Sequence, residues 1–108
     1  MVVRVTDKVI QPVQHGMVRS VLSHGERLML VEISLEQGVH VAAHSHPHEQ
    51  VTYVVRGSAK FVVGGRAETL AAGESCLIPS GETHSVDALT DSLLIDAFSP
   101  PRADFLPS

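Results

Sequence analysis

Turn-forming residues divide this sequence into short segments, and their spacing limits the fold more than any other feature. Glycine and proline turns, such as Gly64-Gly65 and Pro79-Ser80-Gly81, separate segments rich in β-branched side chains. Along residues 29–35, apolar side chains alternate with mixed ones, as in a strand with one buried face. No ten-residue window keeps the apolar period of a helix. The sequence therefore predicts an all-β barrel or sandwich built from many short strands.

The length of 108 residues indicates one domain with a single core. We expect an N-terminal arm over residues 1–16, a β-barrel over residues 17–98 and a tail over residues 99–108. Within the arm, residues 2–5 (Val-Val-Arg-Val) are a predicted short strand, and residues 11–16 are a predicted connector. Because such an arm often packs on a neighbouring subunit, we predict a homodimer.

Charge and apolar patterning narrow the range of partners. The chain has 8 Lys and Arg against 12 Asp and Glu, a net charge of −4, and no basic run. Nucleic acid and anionic membranes are therefore poor partners. The N-terminal stretch has no apolar segment of signal-peptide length, and no segment approaches membrane-spanning length, so we predict a cytoplasmic protein. The single cysteine, Cys76, cannot form an internal disulfide and is expected to fill space in the core.

Histidine spacing predicts a metal site. In an extended strand, His44 and His46 leave the backbone on the same face, so both imidazoles can bind one ion. Gln50 follows four residues later, and His84 follows the turn at residues 79–82. Three imidazoles and an amide oxygen suit nickel, zinc, iron, manganese or copper. Because these donors must converge from different strands, we favour a closed barrel with a ligand cavity in its mouth.

Other side chains compete for this site or are expected away from it. His48 has the same strand parity as the two histidines before it, but Pro47 breaks the register, so we expect His48 in a supporting or rim position. Glu49 is an alternative ligand to Gln50. Three histidines lack a second donor at useful spacing and are expected at the surface or satisfied in the core: His15, His24 and His40.

A carboxylate stands in an otherwise apolar strand near the end of the sequence. Both faces of residues 91–98 are predicted to be apolar except for Asp96. Burying a lone carboxylate is costly unless it is paired or used in chemistry. Two interpretations stay open: either backbone amides or an arginine satisfy Asp96, or Asp96 is catalytic.

Two motifs resemble those of the cupin family, whose members are small jelly-roll barrels. The positions that match are Gly38, His44, His46, Gln50 and Gly57 in the first motif and Gly73, Pro79, Gly81 and His84 in the second. Gln50 stands where the family usually has glutamate, and Ala88 stands where it usually has asparagine. The resemblance implies a double-stranded β-helix that holds one divalent transition-metal ion on the three histidines and Gln50.

Residues 96–106 are similar to the C-terminal signature of small cupins of the KdgF type. Those enzymes act in pectin and alginate breakdown, where they convert unsaturated monouronates into linear keto forms, and they include a glutamine among four metal ligands. The similarity implies that Asp96, Arg102 and Phe98 face a small anionic sugar. In that interpretation Asp96 moves a proton, Arg102 binds the sugar carboxylate and Phe98 shapes the pocket.

Two other functions stay open on the sequence alone. One is a cupin dioxygenase with bound iron, and the other is a non-catalytic cupin that binds a sugar or metabolite. Three neutral imidazoles and the neutral amide of Gln50 leave the full +2 charge of a divalent ion in place, which attracts anions and disfavours oxidation of iron. The donor set therefore favours Lewis-acid chemistry on a carboxylate-bearing substrate.

Overall fold

The structure is a computed structural model that describes residues 1–107, and it consists mainly of ten strands. They are β1 Val9–Gln14, β2 Met17–His24, β3 Met29–Leu35, β4 His40–His44, β5 Glu49–Arg56, β6 Ser58–Val63, β7 Arg66–Ala71, β8 Ser75–Ile78, β9 His84–Ala88 and β10 Ser92–Ser99. Two short 3-10 helices occupy Val5–Asp7 and Ala103–Phe105. Within residues 1–107, no helix has the length and apolar character needed to cross a bilayer.

The strands form two sheets in which every paired strand is antiparallel to its neighbour. The larger sheet has the order β1-β2-β3-β10-β5-β8, and the smaller sheet has the order β4-β9-β6-β7. Buried side chains from both sheets join one hydrophobic core. This architecture confirms the predicted all-β jelly-roll barrel.

Alternating burial along the strands builds that core. In β3, Met29–Leu35, every second side chain is buried, as the alternation in the sequence predicts. The smaller sheet contributes Phe61, which is among the largest fully buried side chains. Cys76 is half-buried and packs against the core, and burial raises the pKa of its thiol. The cysteine therefore fills space in the core, as expected.

The turn between β8 and β9 is tied to the loop that follows β4. Gly81 has a φ of 77°, which favours glycine, and its N–H donates to the carbonyl of His46 at 2.9 Å. The Ser80 hydroxyl donates to the carbonyl of Pro47 at 2.5 Å. These two bonds hold the loop after β4 against the segment that leads into β9.

The N-terminal strand lies later in the sequence than predicted. Residues 2–5 form no strand, and the strand is instead Val9–Gln14, which pairs with β2 at the edge of the larger sheet. An edge strand has one side without ladder partners, so it accepts Pro12, which lacks an N–H. The predicted strand at residues 2–5 is therefore wrong in position, and of the predicted connector at residues 11–16 only the turn at its end, His15-Gly16, is present.

The arm folds onto its own barrel. Gln11 donates from Nε2 to the carbonyl of Phe105 at 2.6 Å, which joins β1 to the segment after β10. The arm therefore gives no reason of its own to expect a partner subunit. The division into arm, barrel and tail stays a prediction, and the last residue of the predicted tail, Ser108, lies outside the described residues.

Gly57 provides a test of the turn that follows β5. It has a φ of 91°, and a Cβ at this position would overlap the carbonyl oxygen of Asp91. We expect Gly57→Ala to lower the free energy of unfolding by about 2 kcal/mol or more, because steric overlap adds to a left-handed backbone penalty of about 1–2 kcal/mol. Urea unfolding followed by circular dichroism measures the change.

The matched control for this substitution is Gly25→Ala. No atom lies within 4 Å of a Cβ added at Gly25, and its φ lies outside the left-handed range. The control should change the free energy of unfolding by less than about 1 kcal/mol. Equal stabilities of the Gly57 and Gly25 variants would contradict the prediction.

Candidate metal centre

Three histidines converge where β4 meets β9. His44 ends β4 and lies opposite His84, the first residue of β9, in the antiparallel register. The ring centroids of His44 and His84 are 4.3 Å apart, and the ring of His46 lies 5.8 and 4.9 Å from them. One nitrogen from each ring lies within 4.8 Å of the other two. The structure thus brings the three predicted histidines together, and the cluster can hold a metal ion.

His46 reaches the cluster from a loop. Because β4 ends at His44, strand parity does not place His46. Its backbone is held instead by the hydrogen bond from Gly81. The same-face argument from the sequence therefore does not hold for His46, although its convergence with His44 is as expected.

Backbone carbonyls orient all three imidazoles in the same way. In each ring, Nδ1 bonds a carbonyl oxygen two residues away, at 2.8 Å for His44, 3.2 Å for His46 and 2.9 Å for His84. A carbonyl oxygen can only accept, so Nδ1 carries the hydrogen, and Nε2 of the neutral ring keeps its lone pair. A hydrogen bond at the nitrogen that does not bind the metal is typical of metal-binding histidines, because it fixes the tautomer and the direction of the ring.

Burial keeps two of these rings neutral at physiological pH. Burial first, and then the positive charge of Arg102, lowers the pKa of His46 to about 4. Burial is also the main cause that lowers the pKa of His84. A neutral ring has no proton on Nε2 that a cation would have to displace, so its Nε2 lone pair is available to bind the cation.

The amide of Gln50 completes a donor set that fits a cation. Its Oε1 lies 3.0 Å from Nε2 of His46, while its Nε2 donates to Oγ1 of Thr52 at 2.9 Å. Because the neutral His46 ring offers a lone pair at Nε2, two acceptors face each other at a distance where they repel. A cation bound by both atoms removes this repulsion. Three imidazoles and one amide oxygen therefore fit a divalent first-row ion.

Asp96 is buried on β10 and is bonded to Thr52. The Thr52 hydroxyl donates to Oδ1 of Asp96 at 2.6 Å. Burial raises the pKa of Asp96 to about 6, although the hydrogen bond from Thr52, the nearby amide of Gln50 and the positive charge of Arg102 act in the opposite direction. Within residues 1–107, no backbone amide and no arginine bonds this carboxylate, so neither partner suggested by the sequence satisfies it.

Sequence alone does not predict a role for Thr52. Thr52 follows Gln50 by two residues on β5, so strand parity does place both side chains on the same face. Its position opposite Asp96 depends on the register between β5 and β10, which pairs these two residues. That register joins strands 44 residues apart in sequence, and no local pattern encodes it.

The structure also places Phe98 and Arg102 at the site. Phe98 is buried, and its ring centroid lies 5.8 Å from that of His46. Arg102 lines the cavity and donates from Nε and Nη2 to the two carboxylate oxygens of Asp104, at 3.1 and 3.0 Å. The guanidinium that was predicted to bind a substrate carboxylate thus already binds a carboxylate of its own chain. The third guanidinium nitrogen of Arg102, Nη1, makes no hydrogen bond to Asp104.

A second guanidinium that the sequence analysis missed lines the same cavity. The guanidinium carbons of Arg19 and Arg102 lie 3.6 and 4.2 Å from the ring centroid of Phe105. Nε of Arg19 also donates to Oε1 of Gln11 at 2.7 Å. The signal in the sequence is parity, because Arg19 follows the buried Met17 by two residues on β2.

The cavity between the sheets has a volume of about 200 Å³. It is smaller than the range of about 300–1,000 Å³ typical for drug-sized ligands. Most of its lining is apolar, and its polar side chains are Arg19, His44, Gln50, Thr52, His84, Asp96 and Arg102. This combination suits a small molecule with a negative charge.

The remaining candidates lie beside or outside the cluster. Glu49 is exposed on the face of β5 opposite Gln50. The His48 ring lies 5.4 Å from that of His46 and therefore takes a neighbouring position. His40 contacts Asp87 instead, with Nδ1 2.6 Å from the carboxylate. The other two histidines, His15 and His24, are exposed.

Comparisons with known proteins identify similar chains. A family model described as a cupin domain matches residues 31–95. The pectin degradation protein KdgF of Dickeya dadantii is 37% identical over 93 residues, which cover 84% of each chain.

Two solved structures have nearly the same fold. KdgF from a Halomonas species has a TM-score of 0.92 and 32% identity, with 98% of each chain covered. An RmlC-like cupin from Shewanella frigidimarina also has a TM-score of 0.92, with 34% identity over 97% of this chain and 95% of that one. The similarity therefore extends well beyond the two histidine motifs.

From the geometry of the cluster we predict that His46 binds the metal and that His40 does not. We expect His46→Ala to weaken Zn²⁺ binding by more than about 100-fold, since losing a ligand costs more than the 10–100-fold typical for an outer partner. His40→Ala is the matched control because His40 bonds Asp87 away from the cluster. Isothermal titration of the metal-free proteins measures both affinities. Equal affinity of the His46 variant and the wild type would remove His46 from the site.

Proposed function

Because this chain belongs to the cupin family and is similar to KdgF over most of its length, we propose that it converts unsaturated monouronates into linear keto-uronates. The position of Asp96 carries the proposal. This buried carboxylate is joined through Thr52 and Gln50 to a cluster of three histidines, and it lines a cavity that also holds two guanidinium groups. Such a cavity suits a single acidic sugar better than a polymer.

The metal site that we propose consists of His44, His46, Gln50 and His84. A divalent ion held there supplies a Lewis acid for oxygen atoms of the substrate. Nickel, zinc, iron, manganese and copper all suit three imidazoles and an amide, and occupancy depends on availability as well as on affinity.

Arg102 is the residue that we propose to bind the substrate carboxylate. A guanidinium presents several N–H donors in a fixed plane, which matches the geometry of a carboxylate. Nη1 of Arg102 is available to the substrate, while Asp104 holds Nε and Nη2. The ring of Phe105 lies against the guanidinium and limits its movement.

Asp96 is the residue that we propose to move the proton. In the cyclic substrate, the ring oxygen joins the anomeric carbon to an unsaturated carbon. When Asp96 takes the proton of the anomeric hydroxyl, a C=O bond forms at the anomeric carbon and its bond to the ring oxygen breaks, leaving an enolate. Asp96 then gives this proton to the carbon of the enolate double bond that does not carry the oxygen. This step gives the ketone and restores the Asp96 carboxylate. A pKa of about 6 suits both transfers.

A spectroscopic assay tests this function. The ring double bond of unsaturated galacturonate or unsaturated guluronate absorbs in the ultraviolet, and we expect the metal-loaded protein to remove this absorbance faster than the spontaneous rate. Asp96→Asn should lower kcat by about 10²–10⁴-fold, the usual contribution of general acid–base catalysis, with metal content unchanged. Asp87→Asn is the control, since Asp87 pairs with His40 outside the cavity.

Three outcomes would overturn parts of this proposal. Full activity of the Asp96 variant would remove Asp96 from the mechanism. Oxygen consumption by the iron-loaded protein, without isomerisation, would support a dioxygenase. If both sugars bind but neither reacts faster in a fully metal-loaded sample, the chain is a binding module.

We also propose a homodimer formed through the outer face of the larger sheet. Adjacent strands there align Leu30, Ala97, Val51 and Leu77 in one row across the sheet. Exposed apolar side chains on this face are Leu30, Val51, Tyr53, Val55 and Leu77. A contiguous apolar face of this kind is typical of a subunit interface. The cytoplasmic location of the protein stays a prediction from the sequence.

Charge placed on this face tests the dimer. Tyr53→Asp puts a carboxylate at the proposed interface, where losing its hydration is costly, so we expect dissociation to monomers. Leu89→Asp is the matched control, because Tyr53 and Leu89 are both 45% exposed and Leu89 lies outside the larger sheet. Sedimentation velocity measures the assembly. A monomeric wild type at tens of micromolar would refute the dimer.

A further inference from the structure

A continuous chain of buried hydrogen-bonding groups joins the proposed proton carrier to the histidine cluster. Asp96 accepts from the Thr52 hydroxyl at 2.6 Å, and Thr52 accepts from the Gln50 amide at 2.9 Å. On its other side, Oε1 of Gln50 lies 3.0 Å from Nε2 of His46. Thr52 is in the middle of this chain and is only 1% exposed, so bulk water does not replace its hydroxyl.

The shape of Gln50 alone does not decide which of its two polar atoms faces His46. Rotating the amide by half a turn exchanges the oxygen with the NH2 group and leaves the outline of the side chain almost unchanged. Only the oxygen has a lone pair suited to a metal ion. The orientation of Gln50 must therefore be set by its hydrogen-bonding partner.

Thr52 can set this orientation because a hydroxyl group has a single hydrogen. The Asp96 carboxylate can only accept, so the hydrogen of Thr52 points to Asp96. The oxygen of Thr52 is then left as an acceptor, and it receives the NH2 group of Gln50. As a result, Oε1 of Gln50 faces the histidines.

From this geometry we propose that Thr52 is a positioning residue that turns the amide oxygen of Gln50 toward the metal site. The proposal deepens the metal-dependent function above and rests on it. Two features of the fold place the hydroxyl: Thr52 follows Gln50 by two residues on the same face of β5, and the register between β5 and β10 sets it opposite Asp96. Valine has nearly the same shape as threonine but offers no hydroxyl to either neighbour.

Zn²⁺ binding to metal-free variants tests the proposal without any substrate. We expect Thr52→Val to weaken Zn²⁺ binding by about 10–100-fold, the usual effect of losing a group that orients a ligand. Thr52→Ser keeps the hydroxyl and should stay within about threefold of the wild type. A competing chromophoric chelator gives the affinities, and the visible spectrum of bound Co²⁺ should change for the valine variant and not for the serine variant.

A double-mutant cycle separates positioning from general damage to the fold. If Thr52 acts through the amide, Thr52→Val should have no further effect on Zn²⁺ affinity in a Gln50→Ala background. If Thr52→Val does not fold because Asp96 has lost its partner, Thr52→Val/Asp96→Leu replaces it: this variant has no buried charge and no hydroxyl, and it should show the same loss of Zn²⁺ affinity relative to the wild type.

Three results would overturn the role of Thr52. They are unchanged Zn²⁺ affinity in Thr52→Val, equal losses from Thr52→Val with and without Gln50, and loss in Thr52→Ser as large as in Thr52→Val. Failure of the uronate assay with intact Zn²⁺ coupling would reject the proposed reaction and leave the positioning role in place.

Discussion

The candidate site depends on the pairing of β4 with β9. This ladder sets His44 opposite His84, and the hydrogen bond from Gly81 to the carbonyl of His46 brings the third ring to the same place. Both contacts use backbone atoms, so the positions of the three rings follow from the path of the chain. The side chains then need only a fixed direction, which the carbonyl partners of Nδ1 provide.

The candidate site concentrates polar groups that would be costly to bury singly. His46, Gln50, Thr52 and Asp96 are all buried, and each satisfies or faces another member of the same group. Burial lowers the pKa of His46 and raises that of Asp96, so one apolar environment keeps the imidazole unprotonated, as a metal ligand must be, and brings the pKa of the carboxylate that we propose as proton carrier closer to neutral pH. Binding chemistry and proton chemistry thus have a common physical origin.

Local patterns predict much of this molecule. Alternating apolar residues predict the strands, and the two histidine motifs predict that His44, His46 and His84 converge, although strand parity is not what places His46. Contacts that depend on the exact register between distant strands are not visible in the sequence. Thr52 meets Asp96 only through the β5–β10 register. From the sequence alone, Pro12 indicates a connector. A proline within β1 is explained by the position of β1 at the edge of the larger sheet, which depends on how the strands pair.

The ring of Phe105 lies against both guanidinium groups of the cavity, and its carbonyl is held by Gln11 of β1. One side of the pocket is therefore made from β1 and the segment after β10, while the histidines come from the middle of the chain. The side chains that we propose to select the ligand and those that we propose to bind the metal therefore lie largely in separate stretches of sequence. Exchanging those two flanking stretches between relatives offers evolution or an engineer a way to change which acid enters without rebuilding the centre that reacts with it.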